Sequence, residues 1–184
     1  MGLDVTVHLH AQPCTPAERA ILDMSEDRWQ AADDLGLTLV FHGSFEARSA
    51  DLTEPAYRVG ESRSVYSWSY SGYSRWRDQL AVLAGIELSP DPGGWRGLSL
   101  HAFWSECEFV EATGKTPEYP FWQLIHFSDC DGNLGPAACA SLAKDFDDHA
   151  EKAADLDDRF RCGYDAFREA FGLAAATCGW VEFH

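Results

Sequence analysis

LDDRFRCGYDAFREAFGLAAATCGWVEFH, residues 156–184, changes its hydrophobic period part-way along, and that change decides the fold class. Leu156, Phe160, Tyr164, Phe167 and Phe171 recur at spacings of four, four, three and four, one face of a helix over about 156–175. GWVEFH (179–184) then reads as a short strand. Working outward, LDVTVHLHA (3–11) alternates Val5, Val7 and Leu9 against Thr6, His8 and His10, the period of two of a half-buried strand. LTLVFHGSF (37–45), LSLHAFW (98–104) and FWQLIHF (121–127) read as further strands. The last is almost continuously apolar and is expected at the centre of a sheet.

Three more helices are expected. TPAERAILDMSEDRWQAADDLG (15–36) has Thr15 as cap, Pro16 at the first helical position and Gly36 as stop. GYSRWRDQLAVLAG (72–85) repeats Trp76, Leu80 and Leu83 and ends at Gly85. The segment 135–153 has Pro136 just inside its start and Leu142 and Phe146 on its buried face. Residues 46–70 are polar and broken and take no assignment, and the Pro/Gly-rich 87–97 reads as a surface loop. The expectation is one α+β domain over residues 1–184, a small mixed or antiparallel sheet packed by about four helices.

With 184 residues, the chain is long enough for one sizeable core. A net charge of −16 repels phosphate backbones and argues against direct nucleic-acid binding. The start of the chain has no basic segment followed by a long apolar run, and no stretch approaches the roughly 20 apolar residues of a membrane span. Cys14, Cys107, Cys130, Cys139, Cys162 and Cys178 include no C-x-x-C pair, so reduced, mostly buried thiols in a cytoplasmic protein are expected.

FSDCDGNLGP (127–136) imitates a calcium loop, with Asp129 and Asp131 before Gly132. Placing Gly132 at loop position 6 puts Phe127 at position 1 and Ala138 at position 12, where neither offers an oxygen. A strand-to-helix turn is left, with Ser128 or Asp129 leaving the strand. There the acids either cap the backbone or meet a ligand, since a strand end and a helix start often frame functional loops.

RVGESRSVYSWSYSGYSRWRDQL (58–80) is the second unusual segment. Arg58, Arg63, Arg75 and Arg77 are interleaved with Tyr66, Trp68, Tyr70, Tyr73, Trp76 and several serines. Guanidinium forks grip phosphate or carboxylate, and aromatic faces stack on a base or sugar, so the mixture suits a small anionic, nucleotide-like ligand. The competing reading makes Trp76 core and lets the arginines neutralise the chain's own carboxylates. His8 and His10 share a strand face and with His126 are the candidate metal ligands, although no metal or cofactor is expected. G-x-S-x-G, P-loop, G-x-G-x-x-G and H-E-x-x-H motifs are all absent.

SYSGYSRWRDQLAVLAG (69–85), PFWQLIHFSDCDGNLGPAACASLAKDF (120–146) and GWVEFH (179–184) resemble, in this order, a family of uncharacterised phage and bacterial proteins. That family carries Y-S-G-Y-x-x-W-R-x-x-L-A, then F-S-D-C-E/D-G-x-I/L-G, a helix ending in D-F, and a closing F-H. The match covers about a quarter of the chain closely, with Asp131 where many relatives have Glu. It implies a phage or accessory bacterial locus, hence the host cytoplasm, and assigns no activity.

The expected function is a non-catalytic binding protein that captures a small anionic ligand or blocks a host protein. Arg58, Arg63, Tyr70, Tyr73, Arg75, Arg77, Ser128, Asp129, Asp131 and Gly132 are its candidate ligand-binding residues. One alternative is a metal-assisted hydrolase using Asp129, Asp131 and a histidine. Another is an acidic module docking through 144–158.

Overall fold

The computed structural model describes residues 3–40, 49–86, 118–127 and 132–184, with the backbone of 89–90 and 98–99. In chain order come β1 (Leu3–Leu9), β2 (Gln12–Pro13), α1 (Pro16–Met24), α2 (Arg28–Leu35), β3 (Thr38–Leu39), β4 (Ala56–Arg58), β5 (Glu61–Trp68) and α3 (Tyr70–Leu83). There follow β6 (Ser89–Pro90), β7 (Leu98–Ser99), α4 (Trp122–Ile125), β8 (Gly132–Leu134), α5 (Pro136–Asp148), α6 (Ala150–Ala154), α7 (Asp158–Thr177) and β9 (Trp180–Phe183). The fold is α+β.

The main sheet is antiparallel with strand order β5-β1-β9-β8. Alternation along β1 does what its period requires: Leu3, Val5 and Val7 are buried in the core, while Thr6 and His8 lie on the other face with Glu182 of β9. β1 and β9 are joined to their ends, Asp4 and His184 exchanging backbone hydrogen bonds of 2.8 and 3.0 Å.

Helices α3, α5 and α7 cover the core face, and their aromatic residues meet there. Trp76 stacks on Phe160 and Phe167 at ring-centroid distances of 5.8 and 4.9 Å, and Phe167 stacks on Phe171 at 5.8 Å. Each such ring, fully buried, contributes about 1.5–3 kcal/mol of transfer free energy. Gly163 makes the approach of α7 possible, because a Cβ there would lie 2.6 Å from Trp68 Cζ2 and 2.9 Å from Trp76 Nε1.

The expected helix over 15–36 is two helices. Asp27 accepts hydrogen bonds from the N–H groups of Trp29 and Gln30, capping a new helix and ending continuity at 25–27. Its expected apolar face is only half buried: Leu22 and Ala32 pack inward, whereas Ile21 and Trp29 are exposed. The ends are as expected, a capping box between Thr15 and Glu18 and left-handed Gly36 at φ 64°. Thr15→Ala is expected to cost about 1 kcal/mol, read as a lower denaturation midpoint. Hydrogen bonds from the Thr15 backbone and hydroxyl, with Arg58, hold the Glu18 carboxyl below its ordinary range. The stability this adds is present above the ordinary carboxylate pKa and disappears as pH falls through the lowered one.

Two further expectations, at 121–127 and 135–153, change, and other stretches gain detail. Residues 46–70 contain β4 and β5, and β5 is the longest strand described. FWQLIHF is not a central strand: Trp122–Ile125 forms one helical turn entered by left-handed Phe121 at φ 61°. Phe121, Leu124, Ile125 and Phe127 are all buried, and a run apolar on every side fits a buried turn as well as a buried strand. The helix at 135–153 breaks at His149 into α5 and α6. The strand at 37–45 is described only as Thr38–Leu39, paired with β4, and 41–45 lie outside the described residues. So do 100–104 of the strand expected at 98–104, and all of the 87–97 loop except Ser89–Pro90. Among the described residues no helix is long and apolar enough to cross a membrane.

Candidate functional site

A cleft of about 1090 Å³ opens between α3 and the junction of α6 with α7. Its size lies just above the usual range of small-molecule sites, about 300–1,000 Å³. Trp68, Trp76 and Phe160 form the apolar floor, and Val82, Leu83 and Leu156 a second apolar side. Arg75 of α3, Lys152 of α6 and Arg159 of α7 bring three cations to the same space. Arg159 reaches the first turn of α3, its Nη2 lying 3.8 Å from where a Cβ on Gly72 would stand. A helix N-terminus favours negative charge there.

The cleft's carboxylates are already engaged. Asp157 caps α7, accepting the Phe160 N–H at 3.0 Å, and accepts the Gln79 amide at 3.2 Å. The Phe160 N–H is the main reason that its carboxyl is held below the ordinary range, with Gln79 and Arg159 adding to it. Asp78 also has a partner. By contrast, Arg75, Arg159 and Lys152 make no ion pair among the described residues, in a chain of charge −16. Trp68 is only 6% exposed, and its buried indole Nε1 has no hydrogen-bond partner among the described residues. An unpaired buried donor of this kind costs about 1–3 kcal/mol.

The four arginines of the 58–80 segment do not converge. Arg75 alone lines the cleft. Arg58 pairs with Glu18 at 2.7 Å beside the small β2-β4-β3 sheet, and Arg63 pairs with Glu61 at 2.6 Å. Arg77 donates to the Phe127 carbonyl and lies 5.0 Å from the Tyr73 ring centroid. Tyr73 is fully buried core, and Tyr70, half-buried, packs against it at the start of α3. Gly132 is not a turn residue either. It opens β8, pairs with Phe183 at φ 139°, and a Cβ there would come 2.9 Å from Phe127 Cζ. Ser128, Asp129 and Asp131 lie outside the described residues.

The histidines expected as metal candidates are dispersed. His126 is buried and bonded to the Tyr119 hydroxyl, and His10 sits past the end of β1 in a left-handed conformation, φ 57°. His8 is held by Ser62 and Glu182. Among the described residues no group of three or more His, Cys, Asp and Glu could hold a metal. Of the cysteines described, Cys14 and Cys139 are buried thiols, whereas Cys162 and Cys178 are exposed, so burial is less general than expected.

No family model, curated protein or solved structure matches the chain. Lys152, Arg159 and Phe160 were not among the expected ligand groups, because they belong to a segment whose acidic excess hides its cations. The available signal was Arg159 beside Phe160, two residues after the Asp157 cap.

Proposed function

We propose that the protein captures, without transforming it, a small anionic ligand with an aromatic body, a nucleotide or a molecule of that chemistry, in the α3–α7 cleft. The observation that carries this reading is the grouping of three cations, without ion pairs among the described residues, beside an apolar aromatic lining, in a chain otherwise strongly acidic. Arg75 and Arg159 would grip the anion as guanidinium forks, and the apolar lining, whose exposed members are Val82 and Leu156, would take the flat body. The setting proposed is the cytoplasm, where the free cysteines stay reduced.

The test is calorimetry and thermal melting against nucleoside mono-, di- and triphosphates and inorganic phosphate at low salt. A ligand at about 100 times its Kd stabilises by roughly 2.7 kcal/mol, a shift of several degrees. Arg75→Ala and Arg159→Ala are each expected to weaken binding about tenfold or more, since a hydrogen bond to a charged group is worth about 1.5–3 kcal/mol. Arg58→Ala and Arg63→Ala, whose side chains pair elsewhere, are expected to leave it unchanged. No shift with any nucleotide at millimolar concentration, or an equal loss in Arg63→Ala, overturns the reading.

A further inference from the structure

The face of the main sheet turned away from α3 and α7 carries a different arrangement. The register sets His8 of β1 opposite Ser62 of β5 and Trp180 of β9, with Glu182 two residues further along β9. Ser62 Oγ lies 2.9 Å from His8 Nδ1, and His8 Nε2 lies 2.7 Å from Glu182 Oε2. An ionised carboxylate can only accept, so His8 Nε2 carries the hydrogen, and in the neutral ring Nδ1 accepts from the Ser62 hydroxyl. Three strands thus align a hydroxyl, an imidazole and a carboxylate in the roles of nucleophile, base and orienter.

The surroundings fit those roles. His8 is 6% exposed and packs on the fully buried Trp180 at 4.5 Å between ring centroids, which fixes the imidazole plane. Ser62 is exposed, so a substrate can reach its oxygen. Among the described residues β5 is an edge strand, and every second N–H along such a strand points away from the sheet, toward where an oxyanion could stand. Thr6 and His184, hydrogen-bonded to each other at 3.0 Å, line the same face. Ser62 stands on an open surface. That openness selects small acyl groups on good leaving groups over amides or long chains.

We propose that Ser62, His8 and Glu182 form a second, reactive site that accepts small acyl groups from activated esters, independent of the cleft. Ser62 Oγ attacks the carbonyl carbon while its proton moves to His8 Nδ1, and Glu182 stabilises the imidazolium. The proton passes to the leaving-group oxygen as the ester C–O bond breaks, giving acyl-Ser62 and an alcohol. Water then attacks, giving its proton to His8, and the acid departs as the Ser62 hydroxyl is restored. Ser62 and His8 are the catalytic residues. Glu182 is a positioning residue.

A fluorophosphonate probe tests this directly, because Ser62 Oγ displaces fluoride to form a stable phosphonyl ester. Mass spectrometry of the labelled, folded protein is expected to place the adduct on Ser62 ahead of every other exposed serine. Ser62→Ala, a change at an exposed position, removes it. Glu182→Gln keeps the shape but not the charge and is expected to slow labelling by roughly tenfold or more, and Glu182→Asp to restore part of the rate. A purely structural Glu182 would give Gln and Asp variants that label alike. Wild-type protein that is folded and unlabelled at Ser62, labelling spread evenly over the exposed serines, or Glu182→Gln reacting at the wild-type rate overturns the proposal.

Discussion

Gly179→Ala is expected to lower the melting temperature by roughly 6–12 °C, the equivalent of about 3 kcal/mol in a chain of this size. Gly179 links α7 to β9, where Cys178 at φ 52° ends the helix and the Gly179 N–H donates to the Ala174 carbonyl at 2.8 Å. A Cβ at this position would sit 2.1 Å from the carbonyl oxygen of His8 and 3.3 Å from Ala174 Cα. Neither obstacle is a side chain that can turn aside. Both are backbone, one in the central strand β1, so relief requires β9 to move off β1. Overpacking usually costs about 1–3 kcal/mol, and a clash with a central strand belongs at the top of that range. Chemical denaturation checks this. A variant with an unchanged midpoint would mean that the α7–β9 turn yields more easily than its contacts imply.

Trp76→Ala is expected to cost about 3–5 kcal/mol, the range for deleting a large buried aromatic side chain. Trp76 is 2% exposed, touches Tyr73, Phe160 and Phe167, and donates from Nε1 to the Phe160 carbonyl at 3.2 Å. Its loss opens a cavity between α3 and α7 and leaves that carbonyl without its indole partner. The same indole floors the cleft, so ligand affinity is expected to fall with stability. Trp76→Phe separates the two effects. It keeps most of the volume but not the N–H, and is expected to retain most of the stability while losing the hydrogen bond. Urea midpoints and calorimetric affinities for both variants measure the division.

The sequence made some parts of this fold plain and concealed others for identifiable reasons. α7 and β9 were readable because an aromatic face at helical spacing passes directly into a strand, with no competing pattern. β5 was concealed by a bulge. Up to Ser64 the register pairs Ser64 with Thr6, and then one residue is skipped so that Tyr66 pairs with Val5. The extra residue, Val65, transfers Tyr66 and Trp68 to the core side, whereas strict alternation would place them with Ser62 and Ser64. In FWQLIHF the difficulty was the opposite, since complete burial erases periodicity. The cleft was legible by half: Arg75 and Trp76 come from the arginine- and aromatic-rich segment 58–80, while Arg159 and Lys152 come from a helix pair distant in sequence. Arg58, Arg63 and Arg77 have partners of their own. Only the tertiary fold separates these two classes of arginine.

The adjacency of β1 and β9 has a consequence for how the chain comes into being. β1 is made long before one of its two neighbours, since His8 and Glu182 stand 174 positions apart in the chain. β5 can pair with β1 once residue 68 has emerged, whereas the other edge of β1 stays open through the synthesis of α3, α5 and α7. Contacts this far apart are slow to close, and an open strand edge in the interval invites pairing with other chains. The acidity of the chain gives such intermediates a common repulsion. The imidazole of His8 waits for its carboxylate until Glu182 is added, so the Ser62–His8–Glu182 row exists only after the sheet has closed.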